Sequence, residues 1–476
     1  MEAFSEQLSF GWNARLRKAP FVPYVDRFLY SPAFPLLMGA LSFLSCAYSV
    51  EIPVYACYCG IFLYLCLFGR DYLPAIPLIV FCYIAPSSAN NPGRNEQSVF
   101  WASGLVILAL FVAIVGSVIL RLATDRDLGG RTFLRKKRAL LPGILALSAS
   151  YVLGGVGSGH YFDHGYNNLL FVFLQIISIF LPYYFISGGV LWEKAPKNYL
   201  AWTAICVGFV VVAETVNCFL TREVVREGAI FREEIYVGWG HYNNMGGLLV
   251  MMMPFAFMLA CGRKWGWFWQ LVGVALFGGV VLTCSRGSIL TACILLVLCC
   301  LLVVFRAERR WAAILVNVGT AAVAGAALWV FRDTILLNYW DSADNDALSR
   351  FAIYKAGLEQ FLEFPVFGGT FFPVSYDLFG WAEVDAMSAF AAPRWHNTIV
   401  QLLASGGIVA LIAYGFHRFQ TIRLIWKKPT TGNLCIGLSV AAFLIASLLD
   451  CHFFNVGPTL FYAMALAFAE NIPEAQ

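Results

Sequence analysis

Apolar runs of about twenty residues recur along the chain, and no other feature constrains it as much, because a helix of that length spans the hydrocarbon core of a bilayer. The first lies at residues 33–50 and the last at 452–469, and between these limits about fourteen can be read, twelve to fourteen once uncertain junctions are allowed for. A backbone in lipid has no water to bond, so such runs fold as helices rather than as open sheet. Composition closes the alternatives. Only 13% of residues are charged, where a soluble domain carries about 25%. With 60% hydrophobic and 16% aromatic residues, the chain is also no disordered polymer. The expected fold class is an all-α polytopic membrane protein.

The runs fall into three blocks: helices with short loops over residues 1–331, one large loop over 332–395, and C-terminal helices over 396–476. Among them, 72–86 is short, 99–120 stands alone, and 396–416, 433–450 and 452–469 close the chain. The first 30 residues, with Arg15, Arg17 and Lys18 amid polar and aromatic side chains, lack the apolar core and small-residue site of a cleaved signal peptide. If the runs alternate across the membrane, most of the 32 Lys and Arg gather on the side of the N-terminus. That side holds Arg121 to Arg138, Arg263, Lys264, Arg306, Arg309, Arg310 and the run from Arg418 to Lys428. Basic loops stay in the cytoplasm, so both termini are expected there. The net charge of +4 is scattered, which points away from a nucleic-acid partner. The 14 cysteines lie mostly in apolar runs without a CxxC pair and read as small buried hydrophobes, giving neither a disulfide framework nor a zinc site.

The opposite, outer side carries the polar loops. One runs from Thr221 to Tyr242 and mixes Glu223, Glu227, Glu233 and Glu234 with Arg222, Arg226 and Arg232. The other, 332–395, is longer than a connector needs to be, and ordered loops of that length usually carry function. Within it, residues 348–363 place Phe351, Tyr354, Leu358, Phe361 and Leu362 at helical spacing, which predicts an amphipathic helix lying on the membrane surface or packed on the spans.

Four outer features hold groups that can do chemistry. The turn TCSRGS (283–288) puts Ser285 and Arg286 at the membrane boundary, where a guanidinium needs a partner or water. Arg350 begins the loop helix and is followed by Pro365, Gly368 and Gly369. RWHNTIVQLLASGG (394–407) brings Arg394, His396 and a capping Asn397 to the start of a span. GWGHYNNMGG (238–247) adds His241, Asn243 and Asn244 beside glycines that allow close backbone approach. Taken singly, each has an ordinary explanation: a snorkelling Arg, a surface ion pair, an interfacial His, a helix cap. His160, His164, His241, His396 and His452 all fall on the outer side and His417 does not, but their spacing does not suggest a metal site.

Several arginines at one boundary suit the diphosphate of a lipid carrier, since guanidinium binds phosphate oxygens bidentately and stays charged. A nearby imidazole can take the proton of an attacking sugar hydroxyl. Together these describe glycosyl transfer from a lipid diphosphate.

The same residues carry a family resemblance. SRG at 285–287, Arg350 with FPVFGG at 364–369, and HN at 396–397 followed after nine residues by Gly407 make the chain resemble the O-antigen ligase and polymerase superfamily, bacterial glycosyltransferases with a large extracytoplasmic loop before the last spans. The resemblance covers roughly residues 239–420 in motif. It implies a GT-C-like helical fold in the inner membrane with the active site facing outward, and an undecaprenyl diphosphate-linked donor. The acceptor hydroxyl would belong to a glycan, a lipid or a protein, and neither metal nor cofactor would take part. It also implies that His396 is the catalytic base and that Arg286 and Arg350, with Arg394 beside them, hold the diphosphate. Ser285, Asn397, His241 and Asn244 are the further substrate-binding candidates. The competing reading is a flippase of lipid-linked oligosaccharide. Transporters place their sites near the bilayer midplane, whereas here Glu214 is the main charge inside a span and the polar residues crowd the outer rim.

Overall fold

The computed structural model describes residues 16–48, 50–85, 115–121, 123, 133–134, 136–162, 167–226, 229–237, 239–330, 332, 343–371 and 394–471. Most of the expected span 99–120, Arg15, His164 and residues 372–393 of the large loop lie outside the described residues.

Every other expected run contains a helix. In chain order these are α1 (Val22–Leu29), α2 (Ala33–Tyr48), α3 (Glu51–Leu67), α4 (Ala75–Ile84), α5 (Leu141–Leu153), α6 (Asn167–Gly189) and α7 (Tyr199–Thr221). There follow α8 (Tyr242–Ala260), α9 (Gly266–Leu282), α10 (Arg286–Arg306), α11 (Arg310–Val330), α12 (Ala343–Glu363), α13 (Thr398–Lys427), α14 (Thr431–Leu449) and α15 (Val456–Asn471). Among the described residues, seven helices (α6, α7, α8, α10, α11, α13 and α14) are long and apolar enough to cross a bilayer, and α1 with α2, bent by 72°, can make an eighth. The protein is an all-α polytopic membrane protein. Fewer qualify than the fourteen expected runs because α3, α4, α5 and α9 are apolar but short, α15 has 16 residues, and most of 99–120 lies outside the described residues. At 1.5 Å per residue, α4 covers about 15 Å, half a hydrocarbon core.

α8 is the axis of the bundle. Its span is 89% buried, against 11% for α11 at the periphery, and α7, α9, α10 and α14 pack around it. Composition explains the choice: Gly246 and Gly247 let neighbours approach, and Met251 to Met253 fill irregular space with flexible side chains. α11 turns Leu315, Val318, Val323 and Trp329 outward, as a lipid-facing helix should.

The loop helix packs on a span as expected, but by another face than its apolar stripe: α12 meets α13 through Ala356, Gly357 and Gln360, while Phe351, Leu358 and Leu362 are exposed. Close helix packing selects the small face, since a Cβ on Gly357 would meet the Val400 side chain at 2.5 Å. Two further expectations need correction. The run from Arg418 to Lys427 belongs to α13 and not to a loop. Hydropathy ends at Arg418, but the helix continues because that guanidinium is covered by the rings of Tyr414, Phe453 and Tyr462. The cysteines are free, and Cys57 and Cys293 are exposed rather than buried, which costs nothing where the surroundings are lipid.

Candidate active site

Two non-glycine residues among the described residues adopt the left-handed backbone conformation, Cys284 (φ 56°) and His396 (φ 49°). Both fall in motifs singled out above, TCSRGS and RWHN. Such positions are held only where the surroundings over-determine them, and they collect at functional sites.

The clamp around His396 is built by its neighbours. Asn397 caps α13, its Oδ1 accepting from Ile399 and Val400 N–H, while its Nδ2 donates to the Leu448 carbonyl at 2.8 Å and so ties α13 to the end of α14. Trp395 is buried, and its N–H donates to Gln401 Oε1. Tyr354 of α12 donates its hydroxyl to the His396 carbonyl at 3.2 Å. With the backbone fixed, the imidazole Nδ1 comes to 3.2 Å from Asp450 Oδ1, the pair being 38% and 13% exposed.

Asp450, just past α14, is the hub. Its Oδ1 also accepts the Cys451 N–H at 2.7 Å, and His452 and His241 act on it electrostatically. Burial alone would raise its carboxyl. The hydrogen bond to His396 and the charges of His452, His396 and His241 outweigh burial and hold the carboxyl well below the usual carboxylate range. Burial pushes the His452 imidazole down to about 4 and lowers that of His241, although Asp450 opposes both shifts. The arginines approach the same point: Arg350 Nη1 donates to the Leu449 carbonyl at 2.8 Å, and half-buried Arg394 acts on Cys451, Asp450 and Tyr83. Burial lowers the Arg394 guanidinium, but an arginine stays charged in any protein setting. Arg286 opens α10, next to Gly287, whose Cα lies so close to Leu449 that an added Cβ would meet Leu449 Cβ at 3.1 Å. The segments carrying all three arginines thus meet around residues 448–451.

The remaining candidates brace this point. Ser285 Oγ donates to Asn243 Oδ1 at 2.8 Å and lies 2.9 Å from Ser288 Oγ, all of it buried. Asn244 Oδ1 accepts from Asn455 Nδ2 at 2.7 Å, and His241 Nδ1 accepts the Asn243 N–H at the start of α8. The imidazole of His452 lies over Gly247, where a Cβ would come within 2.7 Å of the ring. Trp239 Nε1 donates to Glu214 Oε2 at 3.0 Å and the Trp239 carbonyl accepts from Tyr83, so Glu214 anchors this motif to α7. Among the described residues of the 221–242 loop, Arg226 pairs with Glu223 and Glu234, Arg232 pairs with Glu233, and Arg222 donates to the carbonyls of Glu234 and Tyr236. Two short antiparallel pairs, Val225–Arg226 with Ala229–Ile230 and Tyr236–Val237 with Gly240–His241, complete it. The His160 ring packs against Phe364, with centroids 5.8 Å apart, and its backbone N–H donates to Ser158 Oγ.

The FPVFGG segment repairs a break in α13. At Gly407 (φ 63°, ψ −159°) the helix is interrupted, and the freed N–H groups of Ile408 and Val409 donate to the carbonyls of Pro365 and Val366. The Ala404 carbonyl accepts from Gly369 N–H and Gln360 Nε2. The Gly155 N–H, beyond α5, donates to the Phe367 carbonyl. Irregular backbone at membrane depth is tolerable only when re-satisfied by protein in this way. The loop's glycine motif and the Gly407 motif are therefore one structural unit.

Sequence reading overlooked Asp450, His452 and Asn455 as site members. The visible signal was DCHFFN, residues 450–455: three polar side chains between two apolar runs with no linker.

Residues 271–415 match the family model described as O-Antigen ligase. The matched segment runs from α9 into α13 and contains Arg286, Arg350, Arg394 and His396, with the loop that repairs α13. No curated protein matches the chain. Residues 271–415, under a third of the chain, are thus similar to the O-antigen ligase family, which supports a place in the O-antigen ligase and polymerase superfamily.

Proposed function

We propose that the protein transfers glycan from an undecaprenyl diphosphate-linked donor to an acceptor hydroxyl, with His396 as base and Arg286, Arg350 and Arg394 holding the diphosphate. The family supports O-antigen ligase-type glycan transfer. The single observation that carries the finer reading is the His396–Asp450 pair with the arginine-bearing segments around it. The acceptor oxygen gives its proton to His396 Nε2 and attacks the anomeric carbon. The bond from that carbon to the diphosphate oxygen breaks, and the lipid diphosphate leaves as an anion that the guanidinium groups neutralise. Because the donor carries its own leaving group, the reaction asks for no metal and no nucleotide. Asp450 holds the imidazole in the tautomer that leaves Nε2 free, and its negative charge supports the imidazolium that forms.

Ser285 Oγ, both amide atoms of Asn397, Asn244 Oδ1 and His241 Nδ1 are engaged within the protein, so these residues position the site, with Asn244 and His241 each keeping a polar atom for substrate. Residues 332–395 would form the extracytoplasmic element that admits donor and acceptor. The chain would sit in the bacterial inner membrane with both termini in the cytoplasm and His396 facing outward.

The test is incubation of the purified full-length protein with a lipid diphosphate oligosaccharide, with and without acceptors. A glycan ladder without added acceptor identifies a polymerase, and one transfer per acceptor identifies a ligase. Movement of the intact lipid-linked glycan across vesicles, with no glycosidic bond formed, would overturn the proposal in favour of a flippase.

A further inference from the structure

A second polar cluster lies at the opposite end of α14. A cavity of about 390 Å³ opens between the N-termini of α7 and α14 and the C-terminus of α10. From there α14 runs 19 residues to Leu449, about 28 Å at 1.5 Å per residue, so this cavity and the His396–Asp450 pair occupy opposite faces of the bundle.

Lys197 and Arg306 stand on its rim, together with Asn198 and Thr430, the N-cap residues of α7 and α14. Helix N-termini present unpaired N–H groups and a positive pole, so two of them and two cations favour a bound anion and outweigh the single negative pole of the α10 C-terminus. Among the described residues no carboxylate lines the cavity. The rim is anchored, since the Arg306 carbonyl accepts the Gly262 N–H at 3.1 Å. Its interior is apolar, with Phe255, Met258 and Phe468.

Asn433 adds a separate requirement. It is 1% exposed and lines the cavity, and its Nδ2 donates to the carbonyls of Lys428 and Ala469, which fixes the other amide atom as oxygen. That Oδ1 has no hydrogen-bond partner among the described residues. A buried acceptor left in this state calls for a donor from a ligand.

We propose that this cavity binds the headgroup of a phosphate-bearing membrane lipid with a headgroup hydroxyl. The phosphodiester sits between Lys197, Arg306 and the two helix N-termini, a hydroxyl donates to Asn433 Oδ1, and the glycerol and first methylenes cover Met258 and Cys261, the half-exposed apolar side chains of the lining. Free phosphate would satisfy the cations but leave the apolar wall uncovered, and a choline headgroup has no hydroxyl to give.

Delipidated full-length protein in detergent, titrated with dioleoylphosphatidylglycerol, dioleoylphosphatidylcholine or inorganic phosphate, tests this by native mass spectrometry and thermal melting. One phosphatidylglycerol should be retained per chain, raising the melting temperature more than the other two probes do. The Lys197→Ala/Arg306→Ala double variant, altered only at exposed side chains, should hold it about tenfold more weakly. Equal retention of the two lipids, stabilisation by inorganic phosphate equal to that by the lipid, or undiminished retention in a folded double variant would each overturn the proposal. The comparison of probes on the unaltered protein decides the matter even if the double variant does not fold.

Discussion

One histidine stands two residues before α13 and another lies within it, and their surroundings differ in what matters for chemistry. His396, ahead of the cap, is partly open and faces the carboxylate of Asp450, with charged Arg350 and Arg394 close by. His417, two-thirds of the way along, is sealed: its Nε2 meets the Tyr462 hydroxyl at 2.9 Å, and Arg418 beside it donates to the same hydroxyl. Among the described residues no carboxylate hydrogen-bonds to either. Arg418 is covered by three aromatic rings at 4.4–4.9 Å instead. The contrast teaches that a histidine beside an arginine is not in itself a site. An imidazole that exchanges protons with a substrate needs an open edge and an acceptor to hold its other nitrogen, and a buried one needs only packing and a neutral partner.

The contrast can be broken first at His396. His396→Ala should lower transfer by about a thousandfold, the scale of a lost general base, while His417→Phe should leave turnover within about threefold and act on folding instead. Turnover of purified variants decides, and a His396→Ala enzyme with full transfer would remove the base assignment. Asp450→Asn keeps the shape but loses the charge that supports His396. Loss of a charge-assisted hydrogen bond predicts a turnover about ten- to a hundredfold lower, and an unaltered rate would make Asp450 purely structural. Arg350→Lys keeps a cation but not the planar fork, so donor KM should rise about tenfold and stay short of full rescue. Unchanged donor affinity in both Arg350→Ala and Arg286→Ala would dispose of the diphosphate clamp.

Smaller effects probe the frame. Gly407→Ala places a Cβ 2.3 Å from the Val366 carbonyl and forces a left-handed φ on alanine. It should cost about 1–3 kcal/mol of stability, and an unchanged melting temperature would mean that the break in α13 is adaptable. Acidification should destabilise the fold through His452. Its folded pKa of about 4 lies below the ordinary value near 6.5, so the unfolded chain takes up the proton first. The stabilisation is full above about pH 6.5 and fades toward pH 4, with about 2 kcal/mol gone at pH 5. Asp450, held low, loses its own contribution only at more acid pH. Melting curves in detergent at pH 7 and pH 5 measure the difference, and equal stability would show that His452 titrates alike in the folded and unfolded chain.

Much of this was legible in the chain itself. Apolar runs of membrane-spanning length fixed the all-helical class, because lipid leaves a backbone no other way to bond. The scarcity of charge drew attention to Arg286, Arg350, Arg394 and His396, since each such group near a membrane requires a reason. Packing was not legible. Hydropathy ended α13 at Arg418 because it does not register aromatic rings that cover a guanidinium, and it gave α12 the wrong buried face because large apolar residues are at ease toward lipid.

What tertiary structure alone decided is the company that these residues keep. Asp450, His452 and Asn455 stand between apolar runs without a motif to mark them, and Asp450 meets His396 across 54 positions of sequence. The glycines of FPVFGG and the break at Gly407 become one unit only when Pro365 and Val366 supply the carbonyls that α13 has lost. A sequence determines which groups need a partner, because desolvation acts on each residue where it stands. Which partner meets that need depends on contacts between distant segments, and those exist only in the folded chain.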